Sequence, residues 1–278
     1  MTDHVLQDEE SLKEGLRKLL DEAEKAIREK MPEVLFAYDG FFPLYTEQGT
    51  RVLIVGREAY GDYGTYRRPD EKVVSITDVA YDEYRHNELF RGGCNARFDA
   101  KALTRRSVMY HARCIALAYS IITGDWNIQA AKIEEIASKI GKTGGISYAY
   151  FNFSKLLNQN ADKAVRANKK MIRSYALLDY KMGILKREIE LIDPDLIITQ
   201  GFNELCGYID LNCFSNLGET SHKDSDKKKR SNDKPLIIEK LHGKRTIDII
   251  DVRHFSGCSL EYWKTTMKSI KEYLECQA

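Results

Sequence analysis

The sequence predicts an α/β protein built on a mainly parallel sheet, and two observations carry that prediction. Short apolar runs, RVLIVG (51–56), LIITQG (196–201) and RTIDIIDV (245–252), have the length and β-branched content of buried strands. Between them lie longer stretches whose apolar residues recur at helical spacing, the order that places crossover helices between parallel strands.

Each element has its own local reason. Residues 9–30 are highly charged, with Leu12, Leu16, Leu19, Leu20, Ala23 and Ile27 on one helical stripe that Met31-Pro32 brings to an end. Pro43 and a Gln48-Gly49 turn lead into the first strand at 51–56. From Asp62 to Arg105 the pattern is irregular and rich in Tyr, Asp, Arg and Gly, and a connection this long in a compact domain usually has a functional task. Helices follow over 105–122 and 128–140, the second stopping before Gly141. ISYAYFNF (146–153) reads as the second strand, 169–192 as one long helix closed by Asp193-Pro194, and LIITQG as the third strand. FNELCGYI is then a short helix, and ETSHKDSDKKKRSNDK (219–234) holds too few apolar residues to pack, so it reads as a flexible surface loop. LIIEKL (236–241) and RTIDIIDV complete the strands, and SLEYWKTTMKSIKEYLE (259–275) is the closing helix. With neither repeat nor linker, one domain spans 1–278, including a helical extension over about 1–45.

Composition narrows the function. A hydrophobic content of 43% supports a sizeable core, and a formal charge of +1 excludes the global basic signature of a protein that coats nucleic acid, leaving room for a local basic cleft. Cys94, Cys114, Cys206, Cys213, Cys258 and Cys276 form no CxxC and no pairing with histidine at zinc spacing, which points to reduced thiols in the cytoplasm and to no metal. The acidic N-terminus lacks the apolar stretch of a signal peptide, and no run reaches the length of a membrane span. GREAYG (56–61) lacks the spacings of dinucleotide and triphosphate loops, so no nucleotide cofactor is expected.

Ligands of open α/β sheets bind beyond the carboxyl ends of the strands. Those ends carry Gly56 with Arg57 and Glu58, Asn152 with Ser154, Gln200 with Gly201, and His254 with Ser256. An acid, an amide and an imidazole are thereby expected at one crevice. Taken singly, each has an ordinary use: a solvated or capping carboxylate, a structural histidine, an edge amide. Arg57 has two uses, pairing in the neighbourhood of Glu58 or contacting phosphate.

In this order, three stretches resemble the uracil-DNA glycosylase superfamily. GREAYG stands where that family carries a G-Q-D-P-Y-like motif with a water-positioning acid, and FNFSKL stands where it carries a base-reading asparagine. HFSGCS (254–259) stands at its H-P-S-P-L-S-like motif, matching in His254, Ser256 and Ser259, while Ala59, Phe255 and Gly257 replace its prolines. The resemblance covers about 50–275 and implies a three-layer α/β/α sandwich with a central, mainly parallel four-stranded sheet.

It also implies roles. Glu58 stabilises the oxocarbenium-like sugar and orients water, and His254 hydrogen-bonds the departing base. Asn152 reads the edge of the base, and Tyr60 forms a pocket wall. Ser256, Gly257 and Ser259, at the start of the closing helix, meet a DNA phosphate, with Arg57, Arg91 and Arg97 as further DNA contacts. Arg91 and Arg97 belong to RGGCNARFD (91–99), a candidate lid. Tyr63, Tyr66, Tyr81 and Tyr84 either stack on a flipped base or pack over the sheet edge. The family's wedge position holds Cys258, short for that task, with Leu260 or Tyr262 as substitutes. The expected protein is a monomeric, cofactor-free DNA glycosylase that flips a base from double-stranded DNA and hydrolyses its glycosidic bond. Its substrate is uracil or a modified pyrimidine such as a modified phage cytosine, for repair or defence. The alternatives are a non-catalytic nucleic-acid-binding module of the same fold and a hydrolase of free nucleosides.

Overall fold

Alternate residues of the first strand pack into two different cores, which fixes the sheet as the middle layer of the molecule. The computed structural model describes residues 8–32, 36–60, 65–66, 98–106, 108–158, 169–202, 236–242 and 245–277. Its strands are β1 (Ala37–Tyr38), β2 (Gly40–Phe41), β3 (Val52–Tyr60), β4 (Thr65–Tyr66), β5 (Ala149–Asn158), β6 (Leu196–Gln200), β7 (Ile237–His242) and β8 (Thr246–Val252). Its helices are α1 (Glu9–Arg28), α2 (Met109–Thr123), α3 (Ile133–Lys139), α4 (Lys169–Met182), α5 (Ile184–Ile192) and α6 (Leu260–Glu275). Leu53 and Val55 join Phe151, Phe153, Ile197 and Ile249 in a core with α1, α4 and α5. Val52 and Ile54 join Ile198, Ile250 and Val252 in a second core with α2, α3 and α6. Period-two alternation in the strands thus buries both faces under helices.

The sheet is mixed and six-stranded, in the order β2-β5-β3-β6-β8-β7, with β1 and β4 forming a separate pair. This corrects the mainly parallel four-stranded sheet that the resemblance implies. Strands β5, β3, β6 and β8 do run parallel. At one edge β7 pairs antiparallel with β8, because the link 243–245 is too short for a crossover. At the other edge β2 pairs antiparallel with β5.

Three other expectations change. GREAYG does not leave the sheet at Gly56: β3 continues through it to Tyr60, with Gly56 opposite Asn152 and Glu58 opposite Ser154 on β5. Asn152 accordingly lies within β5 rather than at its end. The helix expected over 169–192 is broken at Gly183, whose φ of 61° is left-handed, and the Asp179 carboxylate accepts from Leu185 N–H at 2.9 Å to start α5. The expected amphipathic helix over 9–30 is present as α1, and the six residues of its stripe, Leu12, Leu16, Leu19, Leu20, Ala23 and Ile27, are all buried, at about 1.5–3 kcal/mol for each large side chain.

The N-terminal ends of the parallel strands are held by charge. Arg51, just before β3, and Arg245, just before β8, share Asp193 and Asp195 ahead of β6, the closest contact being Arg245 to Asp195 at 2.6 Å. Arg51 N–H also donates to Asp195 at 2.7 Å. At the carboxyl ends of β3, β6 and β8 the polar residues of the motifs gather, and toward that end of β5 the buried Lys155 pairs with Asp39 and Glu188.

Candidate functional site

Gly56 is the floor of the site because nothing larger fits. A Cβ there would lie 2.8 Å from the Tyr150 hydroxyl, 2.9 Å from Asn152 Oδ1 and 3.2 Å from the Tyr110 hydroxyl. Three oxygens from α2 and β5 therefore converge over one bare backbone position.

Those oxygens belong to a continuous chain of hydrogen bonds across the strand ends. Phe255 N–H donates to Gln200 Oε1 at 3.3 Å, and Gln200 Nε2 donates to the Tyr110 hydroxyl at 3.3 Å. Tyr110 and Tyr150 hydroxyls meet at 3.0 Å, and Tyr150 donates to Asn152 Oδ1 at 3.4 Å. Since the Tyr150 hydrogen is committed to Asn152, Tyr110 supplies the hydrogen of the shared bond. Burial raises the Tyr110 hydroxyl well above the usual phenol range, so it stays protonated and able to donate. The chain ends at Asp39, which accepts from both the backbone N–H and the side-chain amide of Asn152.

His254 stands at the other end. Its ring stacks on Tyr110 with centroids 4.9 Å apart and planes 21° from parallel. Nδ1 lies 2.7 Å from Ser256 Oγ and accepts from Ser256 N–H at 3.4 Å. A backbone N–H can only donate, so Nδ1 is the acceptor and the ring hydrogen is assigned to Nε2. Burial, and then the positive charge of Arg57, push the imidazole down to about 3, which leaves it neutral at physiological pH.

The loop that carries His254 is anchored from beneath. Arg113 of α2 is buried at 1% exposure, and its guanidinium donates to Leu103 O at 3.0 Å, Phe255 O at 2.6 Å and Cys258 O at 2.9 Å. A planar five-donor cation is suited to binding several fixed carbonyls at once. Phe255–Gly257 form one turn of 3₁₀ helix, closed by Gly257 N–H to His254 O at 2.8 Å. Neither Phe255 nor Gly257 could be proline here, because both N–H groups are in use. Ala59 lies within β3, at the point between Glu58 and Tyr60 where the register with β5 shifts.

The remaining motif residues fall as follows. Arg57 donates to Gln200 O at 3.0 Å and Gly201 O at 3.2 Å, so it ties β3 to the end of β6. Gly201 has a φ of 72°, and a Cβ on it would collide with the Arg57 guanidinium. Ser259 caps α6, its hydroxyl accepting from Tyr262 N–H at 3.1 Å, while Ser256 and Gly257 are exposed beside His254. Glu58 and Tyr60 are placed by their backbone in β3, and Tyr66 by its backbone in β4. Cys258 is buried beneath the turn, Leu260 is half-buried and Tyr262 is buried. Arg91 and Arg97, Tyr63, Tyr81, Tyr84, residues 203–209 of the expected FNELCGYI helix and the 219–234 loop lie outside the described residues.

Sequence reasoning missed Tyr110, Tyr150, Asp39 and Arg113. Tyr110 and Arg113 sit in an otherwise apolar helix, where a polar pair one turn apart was the available signal. Asp39 lies between strands of two residues each, too short to show any periodicity. Among the described residues there is no cluster suited to hold a metal ion and no helix long and apolar enough to cross a membrane.

An α/β protein with a mixed sheet and a hydrogen-bonded polar cluster at its parallel strand ends is the class that fold and site define. Comparison with protein-family models and with curated proteins finds no match to this chain.

Proposed function

We propose that the protein is a DNA glycosylase of the uracil-DNA glycosylase type, acting on uracil or a modified pyrimidine in double-stranded DNA. One observation carries the reading: His254, its hydrogen on Nε2, stands at the same strand ends as the oxygens of Asn152, Tyr110 and Tyr150 that meet over Gly56. The target nucleotide leaves the helix and its base enters at the carboxyl ends of the strands, beside His254. Asn152 contacts the pairing edge. As the C1′–N bond breaks, its electron pair passes to the base, and the Nε2 hydrogen of His254 stabilises the oxygen that gains charge. Glu58, two residues beyond Gly56 on β3, stabilises the cationic sugar and accepts a proton from the water that adds to C1′. An abasic site and a free base result, with no cofactor required.

The test uses labelled duplexes carrying uracil, hydroxymethylcytosine or glucosylated cytosine, incubated with protein and then treated with alkali. The expected result is strand breakage on one of them, reduced about 100-fold or more in Glu58→Ala and in His254→Ala, the typical contribution of such groups. Tight binding without breakage on every duplex would instead indicate a non-catalytic DNA-binding module. Release of base from free nucleosides alone would indicate a nucleoside hydrolase.

A further inference from the structure

The ring torsion of a histidine has a broad energy profile, so the plane of an imidazole is set by what touches it. His254 is half-buried at the strand ends, and Ser256 meets it at Nδ1 alone. Contact at one ring atom leaves the tilt of the ring open. Tyr110 closes that freedom: its ring lies against the imidazole with centroids 4.9 Å apart and planes 21° from parallel. A stacked aromatic contact fixes the plane that a hydrogen bond at one corner does not.

Tyr110 is itself held on several sides. It stands in the first turn of α2, where Ala112, Ile115 and Ala116 are fully buried. The His111 ring meets it edge-on, with centroids 5.3 Å apart and planes at 88°. Its hydroxyl is used twice, accepting from Gln200 Nε2 at 3.3 Å and donating to Tyr150 at 3.0 Å. Gln200 is completely buried, and its amide is committed at both ends. Its Nε2 also donates to Cys114 Sγ at 3.4 Å, and its Oε1 accepts from Phe255 N–H at 3.3 Å. Phe255 is the residue after His254. One tyrosine therefore bears on the His254 ring by contact and on the loop that carries it through Gln200.

We infer that Tyr110 is the positioning residue of His254: its ring is the platform that sets the plane of the imidazole, and its hydroxyl anchors that platform to the His254 loop. In this role Tyr110 acts only through His254. The reaction it serves rests on the glycosylase reading, whereas its hold on the imidazole does not.

The experiment compares wild type with Tyr110→Phe, which keeps the ring, and Tyr110→Leu, which removes it. The first readout is proton NMR of the His254 ring, its signals assigned by their loss in His254→Ala. Protons over an aromatic face shift upfield, so that shift is expected in wild type and Tyr110→Phe and is expected to vanish in Tyr110→Leu. Nuclear Overhauser contacts between the two rings are expected in wild type, and their absence overturns the proposal even if Tyr110→Leu does not fold. The second readout is the titration of His254. With its face uncovered the imidazole meets water, so its protonation is expected to move up toward the ordinary 6.5 in Tyr110→Leu and to stay low in Tyr110→Phe. Arg57, whose charge also lowers it, is present in all three proteins. An unmoved titration in Tyr110→Leu overturns the proposal. On a duplex that wild type cleaves, Tyr110→Leu is expected to lower kcat about tenfold or more with KM little changed, the mark of a misplaced catalytic group. Tyr110→Phe is expected to recover most of that loss, and equal losses in the two variants would overturn the platform role. If wild type cleaves none of the duplexes, the glycosylase reading fails, and the two NMR readouts alone decide the claim about Tyr110.

Discussion

Arg113 illustrates how much a single side chain can carry. It is a buried cation whose described hydrogen bonds all go to neutral partners, namely three carbonyls and the Cys258 sulfur. Two of those carbonyls belong to the turn that presents His254. Arg113→Lys keeps the charge but replaces the planar fork with a point donor on a shorter reach. The variant is expected to lose about 2–3 kcal/mol of stability, from bonds to a charged group worth about 1.5–3 kcal/mol each, only part of which lysine replaces. Urea denaturation measures that loss. Single-turnover assays on the preferred duplex are expected to show a drop of tenfold or more, about what a small misplacement of a catalytic group costs. A variant with wild-type activity would show that the turn holds its shape without Arg113.

At the scale of elements, the helical hairpin of α4 and α5 depends on one backbone conformation. Gly183 adopts φ 61° with open space around its missing side chain, so alanine there meets no clash and suffers only the left-handed penalty. Gly183→Ala is expected to cost about 1–2 kcal/mol, read as a lower midpoint in thermal or urea unfolding. The same element shows what a sequence displays and what it conceals. The apolar stripe over 169–192 is continuous, so periodicity alone joins two helices into one; Gly183 was visible, but its φ was not. The central strands were legible because four to six consecutive apolar residues are needed to bury both faces of a sheet. His254 and Asn152 were legible because they follow or interrupt such runs. The chain from Gln200 through Tyr110 to Asp39 was not, because its members come from four separate segments and meet only when α2 packs over the strand ends. Nor was the course of GREAYG, whose extension as strand depends on β5 running on beside it.

For the molecule as a whole, one buried group that ties stability to pH is Glu188. Burial pushes its carboxyl up to about 7, with Lys155 partly offsetting the effect. Its folded value therefore lies above its unfolded value of about 4.5. Between those two values the folded state binds the proton that the unfolded chain releases, so this group favours folding as pH falls through 7 and costs stability above it. Two histidines act in the opposite sense: burial lowers His111 to about 4, and burial with Arg57 lowers His254, so below about 6.5 only the unfolded chain takes up their protons. Glu188→Gln removes the favourable contribution and leaves the histidines unopposed by it. Relative to wild type, the variant is expected to lose stability on going from pH 7.5 to 5.5, measured as the change in urea midpoint at each pH. An identical pH dependence in the two proteins would mean that Glu188 is charged in the folded state throughout that range.

The ion-pair clamp of Arg51, Arg245, Asp193 and Asp195 grips β3, β6 and β8 at their N-terminal ends, while the polar crevice occupies their carboxyl ends. The four residues of the ion-pair clamp and the polar residues of the motifs therefore sit at opposite poles of the same strands and share no side chain. Such a division lets one pole drift while the other is kept. A change in the wall at the carboxyl ends would leave the ion-pair frame at the other end in place.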